Sequence, residues 1–316
     1  MKHIILKAQA KLNLTLRVLG ARPDGFHNIE SVVQSVDLHD QIYLRTGSPN
    51  YSRGGLKETD IRLTCNNLDI PRDRSNLATG AALALSKLLQ VRAPIEINIT
   101  KGIPVGAGLG GGSADAAALL VGLNRLWGAN LCPDGLMSVG ESLGADIPFC
   151  IKGGTGVIRG KGEQVESLPT PDNLWFVIIT PPVKISTACV YNKFNESTMG
   201  TGVYDPFAET NDITSRISRA ITEGNIQSIP SRLINHLEPA ALTIAPEIAE
   251  AKQVLFAAGA TRIGMSGSGP TVFGITDSRA EAEKISDAVS RLRKEKALIC
   301  QAVSQGVIFV PDYDAL

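Results

Sequence analysis

The sequence predicts an α+β fold divided into two domains. With 316 residues, of which 43% are hydrophobic, the chain can bury a sizeable core and is long enough for two domains. Its first half contains alternating apolar and polar runs that are typical of half-buried strands, together with helical patterns. The second half repeats this mixture after the rigid turn Pro169-Thr170-Pro171-Asp172. We therefore predict domains over residues 1–168 and 169–316.

The first domain is expected to contain a sheet, because apolar side chains alternate with polar ones in several short segments. In the second of these segments Leu12, Leu14 and Leu16 share one face. Lys11 and Asn13 therefore share the other face. The predicted strands cover residues 3–9, 11–18, 29–38, 41–45, 61–65 and 95–99.

Three helices are predicted in the same domain. The first runs from residue 77 to residue 90 and is capped by Ser75 or Asn76. The second follows a glycine-rich loop, where leucines recur at helical spacing until Gly128 and Ser113 can act as the N-cap. A shorter helix over residues 133–143 ends at Gly144.

The second domain combines strand and helix patterns. A buried strand is predicted at residues 174–180, a helix begins near residue 185, and further helices cover residues 246–258 and 280–294. Two strands flank a second glycine turn, Ser266-Gly267-Ser268-Gly269, and a closing strand covers residues 306–310. Strands with helices on one face favour a ferredoxin-like arrangement.

Charge and cysteine content exclude several classes of function. The 31 basic residues balance 31 acidic ones, so no net charge favours a nucleic acid or a membrane surface, and a small molecule is the expected partner. The five cysteines are odd in number and form no C-x-x-C pair, as in a reduced, cytosolic protein without a metal site. Lys7 and Lys11 interrupt any N-terminal signal segment, and no uncharged run approaches membrane-spanning length, so we expect a cytoplasmic protein.

The loop at residues 104–115 is the strongest functional signal. Five of the seven residues 106–112 are glycine, which lets the backbone bend sharply and approach a ligand closely. The following helix would direct unpaired amides and the positive end of its dipole into the loop, where phosphate is stabilised. The loop matches the glycine spacing of the dinucleotide-binding fingerprint, but no strand that ends in an acidic residue follows it. It does not match the P-loop motif either, because Gly112 occupies the position of the P-loop lysine. Tight helix–strand packing is an alternative explanation for the glycines.

Lys11, His27 and Asp146 each have a local context with two interpretations. Lys11 could be a solvated strand lysine. His27 follows the turn Pro23-Asp24-Gly25 and could be an exposed hairpin residue. Asp146 lies between apolar residues, and Pro148 restricts the backbone, which is not typical of a freely solvated acid, although Asp146 could cap the next turn.

Residues 104–117, Pro-x-Gly-x-Gly-Leu-Gly-Gly-Gly-Ser-x-Asp-Ala-Ala, resemble the phosphate-binding motif of the GHMP small-molecule kinases, which include galactokinase and homoserine, mevalonate and phosphomevalonate kinases. Residues 11–14, 143–148 and 265–273 resemble further motifs of this family, in the expected order. The resemblance implies a two-domain GHMP kinase fold, with an N-terminal ribosomal-protein-S5-domain-2-like domain and a C-terminal ferredoxin-like domain. The triple glycine before Ser113 and the turn Asp24-Gly25-Phe26-His27 are similar to motifs of one branch of this family. That branch phosphorylates a cytidine-diphosphate-linked methylerythritol in non-mevalonate isoprenoid biosynthesis.

The resemblance also implies the site residues and cofactors. Asp146 is the expected catalytic base and Lys11 its neighbour. ATP, accompanied by Mg²⁺, is expected at Asn76, Lys101, Pro104, Val105, Gly106, Ala107, Gly108, Leu109, Gly110, Gly111, Gly112 and Ser113. The alcohol substrate is expected at Asn13, Phe26, His27, Thr187 and Tyr191, with Phe26 and Tyr191 on opposite faces of the cytosine. No protein ligand is assigned to the metal, and a monomer or weak homodimer is expected.

Two positions depart from the family pattern, and four alternatives stay open. Phe26 replaces the usual tyrosine, so stacking is retained but a hydroxyl contact is lost. His236 replaces a common aspartate, and we assign it no catalytic role. Asn76 could be only a helix cap, and Tyr191 only a core residue. The chain could be another GHMP kinase, acting on homoserine or mevalonate, or a noncatalytic nucleotide-binding module on the same fold.

Overall fold

The computed structural model of the protein describes residues 2–52, 54–199, 212–231, 233–293 and 297–311. In its first half the strands are β1 (Lys2–Asn13), β2 (Arg17–Ala21), β3 (His27–Thr46), β4 (Asn50–Tyr51), β5 (Ile61–Cys65), β6 (Val91–Arg92), β7 (Ile95–Thr100), β8 (Thr155–Arg159) and β9 (Gln164–Leu168). The helices there are α1 (Leu77–Leu89), α2 (Gly111–Trp127), α3 (Pro133–Glu141) and α4 (Ile147–Lys152).

The second half contains five α-helices and five strands within the described residues. They are β10 (Trp175–Ile179), α5 (Thr187–Met199), α6 (Ile213–Thr222), α7 (Glu238–Ile244), α8 (Glu247–Ala257), β11 (Ile263–Met265), β12 (Val272–Thr276), α9 (Arg279–Leu292), β13 (Leu298–Gln301) and β14 (Val307–Val310). Among the helices of the described residues, not one combines the length and the apolar content needed to cross a bilayer.

The first sheet is built around β1 and β3, with the strand order β14-β1-β3-β7-β5, and β2 and β8 also pair with β3. Helix α2 packs across β1 and β3. Gly122 permits this packing, because a Cβ there would lie 2.7 Å from the side chain of Leu6 and 2.9 Å from that of Leu44. The C-terminal end of β1 is thereby brought next to the loop that precedes α2.

Strand β3 is one long strand where the sequence predicts two. Its pairing with β1 continues across His39 and Asp40, and a register shift between Gln9 and Ala10 of β1 absorbs the irregularity. Asp40 is fully buried, and its carboxylate accepts hydrogen bonds from two backbone N–H groups, which compensate for the loss of water. A buried acid within a strand interrupts the apolar pattern without ending the strand, which explains the difference.

The second sheet has the order β11-β12-β10-β13, and all its pairs are antiparallel. This is the split βαβ order of a ferredoxin-like domain, as predicted. Phe176 and Ile178 of β10 belong to the core shared with the first sheet, whereas Val177 and Ile179 pack in the core with α8 and α9. Burial on both faces explains why β10 is a continuous apolar run.

The last strand, β14, lies in the first sheet although it follows the second domain in sequence. It pairs antiparallel with β1 over residues 307–310. The backbone of Gln9 also donates a hydrogen bond to the carbonyl of Gly306. The chain therefore crosses from the first sheet to the second and returns, and the boundary between residues 168 and 169 stays a prediction.

Candidate active site

One cleft of about 770 Å³ contains every residue that the sequence predicts for the site. Its walls are the glycine-rich loop, the end of β1, and the starts of α1, α4 and α5. The predicted residues that line it are Lys11, Asn13, Phe26, His27, Asn76, Lys101, Pro104, Val105, Gly106, Ala107, Gly108, Leu109, Gly110, Gly111, Gly112, Ser113, Asp146, Thr187 and Tyr191. Residues of the second glycine turn, 267–269, also line it. The cleft is large enough for a nucleotide with a second small molecule.

In the glycine-rich loop, every second residue from 106 to 110 is a glycine in the left-handed backbone region. Gly106, Gly108 and Gly110 have φ values of 71°, 76° and 72°. Gly110 is the N-cap of α2, so the helix begins at Gly111 and the prediction that Ser113 is the cap is wrong. Because a glycine tolerates this conformation, α2 can start within the loop and present the unpaired amides of its first turn to the cleft.

The glycines of the loop differ in what they require. A Cβ on Gly108 would lie 2.6 Å from the carbonyl oxygen of Ser266 and 2.8 Å from that of Gly269. A Cβ on Gly106 would meet no atom within 4 Å. The alternative explanation, tight packing, therefore accounts for Gly108, whereas Gly106 is required for its backbone conformation alone.

The second glycine turn is bonded to the first loop and to β1. Ser266 Oγ donates to the carbonyl oxygen of Gly108 over 3.0 Å and accepts from the backbone N–H of Asn13 over 3.2 Å. Asn235 Nδ2 donates to the carbonyl oxygens of Met265 and Gly267, at 2.9 and 2.8 Å. Sequence reasoning gave Asn235 no role, although it begins the Asn-His-Leu-Glu segment that resembles a family motif. Asn235 therefore fixes the backbone of the second glycine turn, which lies beside the glycine-rich loop.

Lys11 and Asp146, which are distant in sequence, form an ion pair at the floor of the cleft. Lys11 Nζ lies 3.2 Å from Asp146 Oδ2, and the two side chains are 7% and 36% exposed. Asp146 precedes α4, but its side chain makes no capping hydrogen bond. Lys11 is therefore not a solvated strand lysine, and Asp146 does not act as a cap.

The path of the Lys11 side chain depends on the loop beside it. Its backbone N–H donates to the carbonyl of Leu109 over 3.0 Å, and a Cβ on Gly110 would lie 2.8 Å from Lys11 Cγ. Its ammonium also donates to Asn13 Oδ1 over 2.6 Å. An ammonium has three N–H donors, so the contacts with Asn13 and Asp146 leave a third for a ligand in the cleft.

Lys101 lies beneath the loop, between two buried carboxylates that the sequence did not assign. Its Nζ forms ion pairs with Asp40 and, over 2.8 Å, with Asp115 Oδ2. Burial opposes the charge on Lys101, but the two carboxylates outweigh it and raise the pKa of Lys101. Burial raises the pKa of Asp115 to about 8. The charge of Lys101 lowers this pKa, whereas repulsion from Asp40 raises it further. Asp40 and Asp115 lie on different elements, so no spacing rule links them.

The opposite end of the cleft is aromatic. The rings of His27 and Tyr191 are stacked, with centroids 4.8 Å apart and planes at 28°. His27 Nε2 lies 2.8 Å from Asn195 Oδ1. Phe26 is 54% exposed, and Lys161 Nζ lies 5.7 Å from the centroid of its ring. The structure thus pairs Tyr191 with His27, and the sandwich of Phe26 and Tyr191 around a cytosine stays a prediction. Asn195 and Lys161 line the same end and were missed.

Three other residues have well-defined contacts. Asn76 caps α1, because its Oδ1 accepts from the backbone N–H of Ala78, and its contact with a nucleotide stays a prediction. Thr187 Oγ1 lies 2.9 Å from Ser268 Oγ and so joins α5 to the second glycine turn. His236 is buried, and its Nδ1 accepts from the backbone N–H of Val18.

Comparisons with known proteins give matches in both halves of the chain. Residues 76–154 match the model of the GHMP kinase N-terminal domain, and residues 216–294 match that of the GHMP kinase C-terminal domain. A 4-diphosphocytidyl-2-C-methyl-D-erythritol kinase from Pelotomaculum thermopropionicum is 43% identical over 91% of this chain and 93% of its own length. The protein of the same name from Bacillus subtilis is 39% identical over 90% of this chain and 91% of its own length.

Solved structures show the same architecture. A crystal structure of 4-(cytidine 5'-diphospho)-2C-methyl-D-erythritol kinase, 28% identical, covers 95% of this chain and 100% of that chain with a TM-score of 0.71. A homoserine kinase from Cytophaga hutchinsonii, 24% identical, covers 98% of both chains with a TM-score of 0.77. The second likeness shows the fold alone, so fold similarity does not distinguish between substrates.

Proposed function

We propose that this chain uses ATP to phosphorylate the 2-hydroxyl of 4-diphosphocytidyl-2-C-methyl-D-erythritol, a cytidine-linked alcohol. The premise is that the chain belongs to the GHMP kinase family and, within it, to the 4-diphosphocytidyl-2-C-methyl-D-erythritol kinases. The alcohol oxygen forms a bond to the γ-phosphorus, the bond from that phosphorus to the bridging oxygen breaks, and ADP leaves. The hydroxyl proton passes to a carboxylate of the enzyme. The products are the 2-phosphate and ADP, in non-mevalonate isoprenoid biosynthesis.

The ion pair of Lys11 and Asp146 beside the glycine loop is the observation that carries this proposal. Asp146 is partly exposed in the cleft and can accept the hydroxyl proton as general base. The Lys11 ammonium holds that carboxylate in place and would stabilise the negative charge of the transferring phosphoryl group. Since the backbone of Lys11 is bonded to Leu109, this pair is attached directly to the loop that would hold the phosphates.

The loop and its surroundings fit the phosphates of ATP. Gly106 to Ser113 supply backbone amides at and before the start of a long helix, and the glycines among them carry no side chain that would cover these amides. Lys101 contributes positive charge from beneath the loop, with its ammonium held by Asp40 and Asp115. Mg²⁺ would offset the charge of the phosphates, and it keeps several waters and phosphate oxygens as ligands in such sites. No group of three or more His, Cys, Asp or Glu side chains placed to hold a metal occurs in the described ranges.

The aromatic end of the cleft fits a cytosine. Tyr191 and Phe26 offer ring faces for stacking, and His27 offers an imidazole whose Nε2 is directed by Asn195. Burial, with a contribution from the charge of Asp146, raises the pKa of Tyr191 to about 12, so its hydroxyl stays neutral at physiological pH. Thr187 completes the substrate side at the start of α5. We also propose a cytoplasmic location and a monomer or weak homodimer.

A substrate panel tests the function directly. The purified protein is given ATP with 4-diphosphocytidyl-2-C-methyl-D-erythritol, homoserine or mevalonate in separate reactions, and ADP release is followed by a coupled assay. We expect turnover that depends on the cytidine-linked alcohol. Turnover with homoserine or mevalonate alone would assign the chain to another GHMP kinase activity. The absence of alcohol-dependent ADP release would favour a noncatalytic nucleotide-binding module.

A further inference from the structure

A buried chain of hydrogen bonds leads from Lys11 to residues that do not line the cleft. Lys11 Nζ donates to Asn13 Oδ1 over 2.6 Å, and Asn13 Nδ2 donates to Ser31 Oγ over 2.9 Å. Ser31 Oγ donates in turn to the carbonyl oxygen of Thr15. Asn13 and Ser31 are 2% and 0% exposed, so bulk water does not compete for these contacts.

Ser31 determines which group donates and which accepts in this series of hydrogen bonds. Its hydroxyl has a single proton. Two backbone oxygens lie within reach of Ser31 Oγ, those of Thr15 and, at 3.4 Å, Val32, and a carbonyl oxygen can only accept. The proton therefore goes to a carbonyl, and Asn13 must present its NH₂ group to Ser31. Because the amide oxygen lies at the other end, Asn13 Oδ1 is directed at the Lys11 ammonium.

The acceptor of the Ser31 proton is itself fixed by the sheet. Thr15 Oγ1 accepts from the backbone N–H of Val32 over 3.0 Å. The backbone N–H of Leu14 donates to the carbonyl of Val32 over 2.8 Å. The segment after β1 is thus bonded twice to Val32, the residue that follows Ser31, and the Thr15 carbonyl cannot turn away without breaking these contacts.

We propose that Ser31 is a positioning residue for phosphoryl transfer, which sets the orientation of the Asn13 amide and thereby holds the Lys11 ammonium beside Asp146. The inference rests on the proposed function. Without the Ser31 hydroxyl, the buried NH₂ of Asn13 loses its acceptor, and the amide can rotate and turn N–H donors toward the ammonium. Lys11 is then poorly held, although no group that contacts either substrate has been removed.

The test is the steady-state kinetics of Ser31→Ala with ATP and the cytidine-linked alcohol. We expect kcat to fall about 5- to 100-fold, the range that corresponds to leaving one buried polar group unsatisfied. The KM for ATP should not change, because neither Ser31 nor Asn13 belongs to the loop that would hold the phosphates. Ser31→Thr retains the hydroxyl and should restore most of kcat. Ser31→Cys has a side chain of similar size but only a weak donor, so it should lower kcat in the same way. It serves as the test if Ser31→Ala does not fold.

Ser35→Ala is the matched control. Ser35 is also a buried serine of β3 and pairs with Lys11 across the strands, but among the described residues its hydroxyl makes no hydrogen bond to Lys11 or Asn13. We expect wild-type kcat for this variant. Wild-type kcat in folded Ser31→Ala or Ser31→Cys, or an equal loss in Ser35→Ala, would overturn the inference. If the wild-type protein itself does not phosphorylate the alcohol, the proposed function fails instead, so the two failures are distinguishable.

Discussion

Asp146→Asn isolates the role of the proposed base. Asparagine has nearly the same shape as aspartate, and its amide oxygen can still accept from Lys11 at the 3.2 Å contact. It cannot accept the hydroxyl proton. General-base catalysis contributes about 10²- to 10⁴-fold, so kcat should fall by that factor, which corresponds to about 2.7–5.4 kcal/mol on the activation barrier.

The effect on folding should be much smaller, because the Asp146 side chain is 36% exposed. Lys11 is 7% exposed, but its ammonium keeps acceptors in Asn13 and in the new amide oxygen, so it is not left unsatisfied. The assay is coupled ADP release at saturating substrates, with thermal unfolding measured on the same sample. Asp172→Asn, at an exposed acid outside the cleft, is the control and should have wild-type kcat. Wild-type kcat in Asp146→Asn would remove Asp146 from the mechanism.

Three further predictions concern the loop, the buried acid and the aromatic end. Gly108→Ala should destabilise the protein by about 1–3 kcal/mol more than Gly106→Ala in urea unfolding, because only Gly108 also faces two carbonyl oxygens; equal losses would contradict this. Burial raises the pKa of Asp115 in the folded protein to about 8 from its ordinary value of 3.8, so the free energy of unfolding should contain a contribution that decreases as pH rises between these values. Asp115→Asn should remove that contribution, and unchanged slopes would argue against a raised pKa. Tyr191→Ala should raise KM for the alcohol about 2- to 10-fold while Tyr191→Phe does not, and an unaltered KM in Tyr191→Ala would exclude stacking.

Local patterns were sufficient for most of the architecture. The alternation in β5 and β7 and the helical leucine spacing of α2 are properties of a few neighbouring residues, and the structure confirms each of these elements. The strands predicted at residues 3–9 and 11–18 are instead one strand that ends at Asn13 and a second that begins at Arg17. The start of α2 was placed too late, since a glycine N-cap in the left-handed region leaves no side-chain signal. The pairing of β14 with β1 depends on contacts between opposite ends of the chain, which no local pattern records.

The candidate site shows the same division. The glycine loop is contiguous in sequence, so its residues could be identified together. Lys11 and Asp146 could be paired only through resemblance to a family, because they lie on separate elements and neither context alone excluded an ordinary structural role. Asp40 and Asn235 were missed, since each acts through backbone groups or a buried partner that folding brings close.

A crystal structure with a nonhydrolysable ATP analogue and the cytidine-linked alcohol tests the central claim most directly. The distances to be measured are those from Asp146 to the 2-hydroxyl oxygen and from Lys11 Nζ to the γ-phosphate. We predict that the Lys11–Asp146 pair persists near its present 3.2 Å, with the 2-hydroxyl in hydrogen-bonding distance of Asp146 and the phosphates on the loop of residues 106–113. A complex in which Asp146 is turned away from the hydroxyl, or in which the phosphates bind elsewhere, would contradict the account.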